Sequence, residues 1–223
     1  MRIAAVIPAL DAEATIGAVV RSTRNVIPDV LVVDDGSRDR TAAEARGAGA
    51  EVCMLPENRG KGTALGTAFE LLMHRGFDGV VTLDADGQHL ACEIPRLLAV
   101  ASEADLVLGT RDLLSGDMGT VRRLSNRLSS RAISWAAGQS FSDVQTGFRF
   151  YSQQLISRLG APRGRFEAES VVVVRAVRAG LRVRTTSIRL GCTDGRATSH
   201  YRPVVDSVRI VAAVTRARLW TVA

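Results

Sequence analysis

Lysine is almost absent from this chain: one residue, Lys61, stands among 29 basic side chains, so the net charge of +6 is carried by arginine. Arginine suits two-point binding of phosphate, although an arginine-rich composition alone accounts for many such residues. The positive balance fits an anionic partner without choosing its class. Aromatic residues are only 4% of the 223 and are not interleaved with basic ones, which argues against a nucleic-acid surface. Cysteine is scarce too. Cys53, Cys92 and Cys192 are odd in number, widely spaced and without a Cys-x-x-Cys pair, so neither a zinc site nor a disulfide framework is indicated, and a reducing cytoplasmic setting is expected. No run approaches the roughly 18 apolar residues that would span a bilayer. Met1-Arg2-Ile3 leads straight into a strand pattern with no sign of a signal peptide. There is no internal repeat, no linker-like stretch and no long polar low-complexity segment, and the hydrophobic fraction is 46%. One α/β domain over 1–223 is expected, with a core to about residue 202 and an amphipathic C-terminal helix over about 203–220.

Against these absences stands Asp84-Ala85-Asp86-Gly87-Gln88-His89, directly after the apolar run Gly79 to Leu83. A buried strand ending in alternating oxygen-bearing side chains delivers hard ligands to one point. Mg²⁺ and Mn²⁺ prefer such ligands, and Mg²⁺ usually completes its shell with substrate phosphates. Asp84, Asp86 and Gln88 are the metal candidates. Upstream, Ile3 to Pro8 and Val30 to Ser37 read as two more short strands ending in turn or acidic residues, with helical spacing over Glu13 to Asn25 between them. Strand, helix, strand is a parallel crossover unit, and ligands of such sheets bind beyond the carboxyl ends of the strands. Pro8, Asp35 and Asp84 are therefore expected around one crevice.

Further helices are predicted over Thr41–Gly49, Gly62–Arg75, Glu93–Ser102, Arg122–Ala137 and Glu169–Gly180, with a strand at Asp105–Gly109. The Gly60-Lys61-Gly62 turn is ordinary punctuation or, at the opening of a helix, a set of backbone N–H groups for a phosphate. His89 either touches phosphate or caps the helix that follows. Over Pro203 to Trp220, Val204, Val205, Val208, Ile210, Val211 and Val214 supply an apolar side, and Arg209, Arg216, Arg218 and Trp220 a basic tip suited to an interface. Packing of that helix on its own domain is the favoured reading over membrane contact.

Six segments in order resemble the family 2 glycosyltransferases, and within them the dolichol-phosphate mannosyltransferase and bacterial polyprenyl-phosphate branch. They are Val6 to Leu10, Val32 to Asp39, Glu57 to Gly62, Leu83 to His89, Gly109-Thr110-Arg111 and Asp143-Val144-Gln145-Thr146-Gly147-Phe148-Arg149. The resemblance runs from near residue 3 to about 210. It implies an A-type glycosyltransferase fold, a Rossmann-like and mostly parallel sheet with helices on both faces. It also implies inverting transfer from a nucleotide diphosphate sugar, GDP-mannose or a UDP-hexose, with Mg²⁺ or Mn²⁺ on Asp84, Asp86 and Gln88. Pro8, Leu10, Glu13, Asp35, Lys61, Asp84 and Ala85 fall on the donor side. The chain departs from the family at Asp11-Ala12-Glu13, where Asn-Glu is common, and the base preference is left open there.

On the acceptor side the resemblance implies Arg111, Arg122 or Arg123, and Arg202 at the phosphate of a polyprenyl acceptor, with Asp86, Asp143 and Arg111 nearest the reaction. Asp143 is either a base for a hydroxyl acceptor or an orienter of Arg149. A phosphate oxygen is already ionised and needs no base, whereas a hydroxyl does. The leading reading is a cytoplasmic enzyme meeting a lipid phosphate peripherally at the inner face of a membrane, or through a separate membrane partner. The alternatives are transfer to a hydroxyl and a non-catalytic nucleotide-sugar-binding protein.

Overall fold

A computed structural model describes residues 1–111, 120–191 and 203–219. Among the described residues seven strands form one sheet: β1 (Ile3–Ala9), β2 (Val30–Asp34), β3 (Glu51–Met54), β4 (Gly79–Thr82), β5 (Leu106–Arg111), β6 (Arg149–Ser152) and β7 (Val183–Ile188). Their order is β3-β2-β1-β4-β6-β5-β7. All neighbours are parallel except at β6, which runs antiparallel to both β4 and β5. The mostly parallel sheet expected from the sequence is thus present.

The central strands are β-branched runs without a polar face because both faces are covered. Side chains alternate between two cores: Ala4 and Val6 of β1 join one, Ala5, Ile7 and Ala9 the other. The second core is closed by α1 (Ile16–Arg24), α2 (Thr41–Gly47) and α4 (Ile94–Ala101), the last entered through a 3-10 turn, Ala91–Glu93. The first is closed by α3 (Lys61–His74), α5 (Thr120–Ala137), α6 (Gln153–Leu159), α7 (Glu167–Arg178) and α8 (Pro203–Arg218). Helices flank both faces. Four elements were not foreseen: β3, β6, α6 and β7. β3 and β7 are edge strands whose polar, half-exposed residues blur the period of two, and β6 opens on an arginine.

The apolar side expected of the C-terminal helix divides in two. Ile210 and Val214, with Ala217, enter the first core, where full burial of each aliphatic contributes about 1.5–3 kcal/mol. Val205, Val208 and Val211 face outward instead. Val204 and Trp220 lie outside the described side chains.

Candidate active site

The strand order reverses direction between β1 and β4, and the crevice opens beyond the carboxyl ends of β1, β2 and β3. A cavity of about 740 Å³ lies there, within the size range of small-molecule sites, lined among others by Leu10, Gly36, Ser37, Pro56 and Asn58. Two loops are zipped together at its mouth. Asp11 N donates to Ser37 Oγ (2.9 Å) and Arg38 N to Asp11 Oδ1 (2.8 Å), while Glu13 N donates to Asp39 Oδ2 and Arg40 N to Glu13 Oε2 (both 3.0 Å). Gly36 has φ +78°, and a Cβ there would stand 2.7 Å from the Glu57 backbone, so only glycine lets the β2 and β3 loops close the wall.

Asp35 is 4% exposed and accepts from Arg59 N and Gly60 N, 2.8 Å each. Burial outweighs these two bonds and pushes its carboxyl above the usual range. It fixes the loop that ends at Lys61, and the Gly60 amide that the sequence offers to a phosphate is already spent on it. Leu10 lines the cavity; Pro8 is buried inside β1 opposite Val33, and neither it nor Asp35 is in the lining. Glu13 is exposed and hooked to the Arg40 loop.

The carboxylate loop follows β4. Thr15 Oγ1, just before α1, donates to the carbonyl of Ala85 (2.7 Å), Asp84 N donates to His89 Nδ1 (3.0 Å), and Gln88 N donates to Asp86 Oδ1 (3.0 Å). His89 therefore carries its proton on Nε2 and secures the loop backbone. Burial, followed by the charge of Asp84, pushes the Asp86 carboxyl up. Two such acids held close, with a neighbouring amide side chain in Gln88, fit a divalent cation, whose charge relieves their repulsion. Among the described residues no three His, Cys, Asp or Glu groups form a ready-made cluster. That accords with an ion taking one or two carboxylates and sharing the rest of its shell with phosphate.

The lone lysine is drawn into this loop. Lys61 Nζ lies 2.6 Å from Asp84 Oδ1 and 2.8 Å from Glu169 Oε2, near the start of α7. Although burial opposes its charge, these two carboxylates hold the ammonium well above its ordinary pKa. Glu169 Oε1 is buried with no hydrogen-bond partner, 3.8 Å from Arg149 Nε. Arg149, 1% exposed, reaches three carbonyls at 2.7 Å each, those of Val144, Thr146 and Glu169. It thereby shapes the 143–147 loop. Asp143 is fully buried, its Oδ1 accepting from Asn126 Nδ2 and Gln145 N (both 3.2 Å), and its charge favours the Arg149 cation. Thr82 Oγ1 donates to Gly147 O (2.7 Å), and a Cβ at Gly147 would stand 2.4 Å from Asp84 Oδ1. The two loops touch at that glycine.

Asp35, Lys61, Asp84, Asp86, Gln88 and Asp143 are thus joined in one contiguous region. Arg111 ends β5, opposite Ile188, and Arg122 and Arg123 lie in the first turn of α5; their side chains, and Arg202 altogether, lie outside the described residues. Sequence reasoning missed Glu169. A signal existed, since Glu169, Val172, Val173 and Ala176 recur at helical spacing, and an acid on a core face calls for a buried cation.

The chain is 29% identical over 198 residues to an uncharacterized protein of Methanocaldococcus jannaschii, covering 85% of this chain and 81% of that one. It is 33% identical over 166 residues to an undecaprenyl-phosphate mannosyltransferase of Micrococcus luteus, covering 68% of this chain and 66% of that enzyme. It spans about half the length of other relatives. The structure superposes on glucosyl-3-phosphoglycerate synthase of Mycobacterium tuberculosis, solved with Mn²⁺, uridine diphosphate and phosphoglyceric acid, at a TM-score of 0.73 and 24% identity, over 97% of this chain and 78% of that one. At that identity the likeness establishes the fold, the A-type glycosyltransferase fold. The model for "Glycosyl transferase family 2" matches residues 4–160, the stretch that contains every strand of the crevice, and the chain belongs to that family.

Proposed function

We propose that the protein transfers a sugar, with inversion, from a nucleoside-diphosphate sugar to a polyprenyl phosphate at the inner face of a membrane. The observation that carries this is the Asp84-to-Gln88 loop at the end of β4, where the strand order reverses, tied through Lys61 and Asp35 to the loops beyond β1, β2 and β3 that enclose a cavity of about 740 Å³. The relative of 33% identity that bears the name undecaprenyl-phosphate mannosyltransferase supports the acceptor.

In this reading the base and ribose, of uridine or guanosine, occupy the cavity at Leu10, between walls that Asp35 and the Asp11–Ser37 contacts hold. Asp86, with Asp84 and Gln88, would hold Mg²⁺ or Mn²⁺, which supplies charge neutralisation on the departing diphosphate. Lys61 keeps Asp84 in place and adds positive charge beside the diphosphate. An ionised acceptor oxygen forms its bond to the anomeric carbon as the bond from that carbon to the diphosphate breaks, and the nucleoside diphosphate leaves. Arg111, Arg122 or Arg123, and Arg202 bind the acceptor phosphate, for which the guanidinium fork is suited. Asp143 is fully buried and its carboxylate braces its own loop, a role that a phosphate nucleophile permits because it needs no base.

The test is a transfer assay with a panel of nucleotide sugars against polyprenyl phosphate and free sugars. Arg111→Lys should already impair transfer, since an ammonium cannot reproduce the fork, and Asp143→Asn should reduce it only modestly. Robust transfer to a free hydroxyl, abolished by Asp143→Asn and indifferent to Arg111→Lys, would establish the hydroxyl reading instead.

A further inference from the structure

Helices α5 and α8 pack side by side in the same direction. The Ser125 and Ser207 hydroxyls are hydrogen-bonded at one end, and at the other the Arg218 guanidinium stacks 4.3 Å over Trp135 and bonds its carbonyl. Their inward faces complete the first core through Ile133, Ala136, Ile210 and Val214. The outward face is apolar where solvent would favour polar residues. Leu128 and Trp135 (57% exposed) lie two turns apart on α5, and Val208 (65%) on α8 and Leu219 (80%) just past its end continue the stripe, with Val205 and Val211 beside it. Exposed arginines border it: Arg127 and Arg131 on α5, Arg209 and Arg216 on α8. Within the two helices only Arg209 meets an acid. The α5 sequence contains none, and Asp206, the one acid of α8, is buried and lies 3.6 Å from Arg209.

We propose that this face docks on a bilayer rich in anionic lipid, with Trp135, Val208 and Leu219 entering the headgroup boundary and the arginines lying on the phosphates. An exposed apolar stripe edged by arginine and tryptophan is suited to that boundary. A second copy of the chain is a poorer occupant, because pairing the face with itself would bring arginine against arginine. The face also starts beside the site: near the beginning of α5, Asn126 Nδ2 donates to Asp143 Oδ1 (3.2 Å). Docking therefore turns the acceptor edge toward the lipid surface. The surface itself is argued from its own residues; only its use in catalysis rests on the proposed acceptor.

Co-sedimentation of the full chain with phosphatidylglycerol vesicles, free of polyprenyl phosphate, tests it. Binding should fall as phosphatidylcholine replaces the anionic lipid and as salt rises. Arg131→Gln and Arg216→Gln should each weaken partitioning roughly fivefold, and Val208→Asp or Trp135→Ala should weaken it further. The catalytic arm uses two acceptors. Val208→Asp should slow transfer to vesicle-embedded polyprenyl phosphate while leaving transfer to a short, water-soluble polyprenyl phosphate unchanged. Vesicle binding that persists with no transfer to either acceptor would refute the proposed function and leave the docking surface standing. Protein that stays in the supernatant at every anionic content, binds neutral vesicles equally, or forms a dimer that Val208→Asp dissociates would overturn the docking surface.

Discussion

Replacing Lys61 by methionine removes one charge from the junction of the two loops and keeps most of its volume. Its ammonium lies within 2.8 Å of both Asp84 and Glu169. Removing one member of a buried ion pair typically costs 3–5 kcal/mol, because the remaining charge is stranded. Here the two carboxylates are not equally stranded. The Asp84 side chain is 32% exposed and can recover water, whereas that of Glu169 is 8% exposed and retains, among the described residues, only the Arg149 cation, 3.8 Å away. The expected cost is therefore near the lower bound, about 3 kcal/mol out of the 5–15 kcal/mol typical of a domain. Lys61→Met combined with Glu169→Gln should be more stable than the two single effects predict, with a coupling of about 2 kcal/mol. Urea unfolding at neutral pH, comparing midpoints at constant slope, measures both quantities. Asp84 also loses its anchor, so Mn²⁺-dependent binding of nucleoside diphosphate should weaken about tenfold, or ~1.4 kcal/mol, by calorimetry. A single-variant cost below about 1 kcal/mol, or strict additivity in the double variant, would refute the reasoning.

Asp86→Ala should lower turnover by orders of magnitude with the melting temperature preserved, and EDTA should do the same to the parent enzyme; turnover surviving both would remove the metal from the account. Asp35→Ala frees the Arg59 and Gly60 amides from the pocket wall, so nucleoside diphosphate affinity should drop by about 1–3 kcal/mol, and unchanged calorimetric binding would count against its role. Glu93 ties the 3-10 turn to Arg189 at 2.7 Å, and that bond holds its carboxyl below the ordinary 4.5. Its folded pKa is the lower one, so its stabilisation is complete above about pH 4.5 and is lost as pH falls through the folded value. The melting difference between the parent and Glu93→Gln should vanish with acid; a difference that grows instead would contradict the assignment.

The donor side was legible in the sequence because it is built from local patterns. Asp84, Asp86 and Gln88 alternate in phase at the end of an apolar run, and β1, β2 and β4 are short, uninterrupted apolar runs, whereas β3, whose end also lines the cavity, is half-exposed and was not read. The middle of the sheet was not legible. β6 is four residues long, opens with a charged side chain and runs against its neighbours, so neither length nor periodicity marks it. Its arginine is tolerated only because the 143–147 loop and α7 present carbonyls to it, contacts that no local pattern encodes. Glu169 was hidden for the same reason: its partners come from α3 and β6.

Lys61 was visible from the start as a compositional oddity, and the structure supplies its cause. Two carboxylates approach within 2.6 and 2.8 Å of one nitrogen in a space closed by α3, α7 and the β4 loop. A compact ammonium with three rotatable donors can serve both acids from one point, whereas a planar guanidinium needs room for its fork and spreads its charge over it. A chain that uses arginine at every other basic position therefore keeps lysine where a point charge must fit between two acids. Lys61→Arg should accordingly be destabilising despite conserving charge, through the overpacking that an enlarged buried side chain imposes, typically ~1–3 kcal/mol. A Lys61→Arg protein that unfolds at the parent's urea midpoint and binds Mn²⁺ and nucleoside diphosphate equally well would show that charge alone, not the shape of the cation, is what the junction requires.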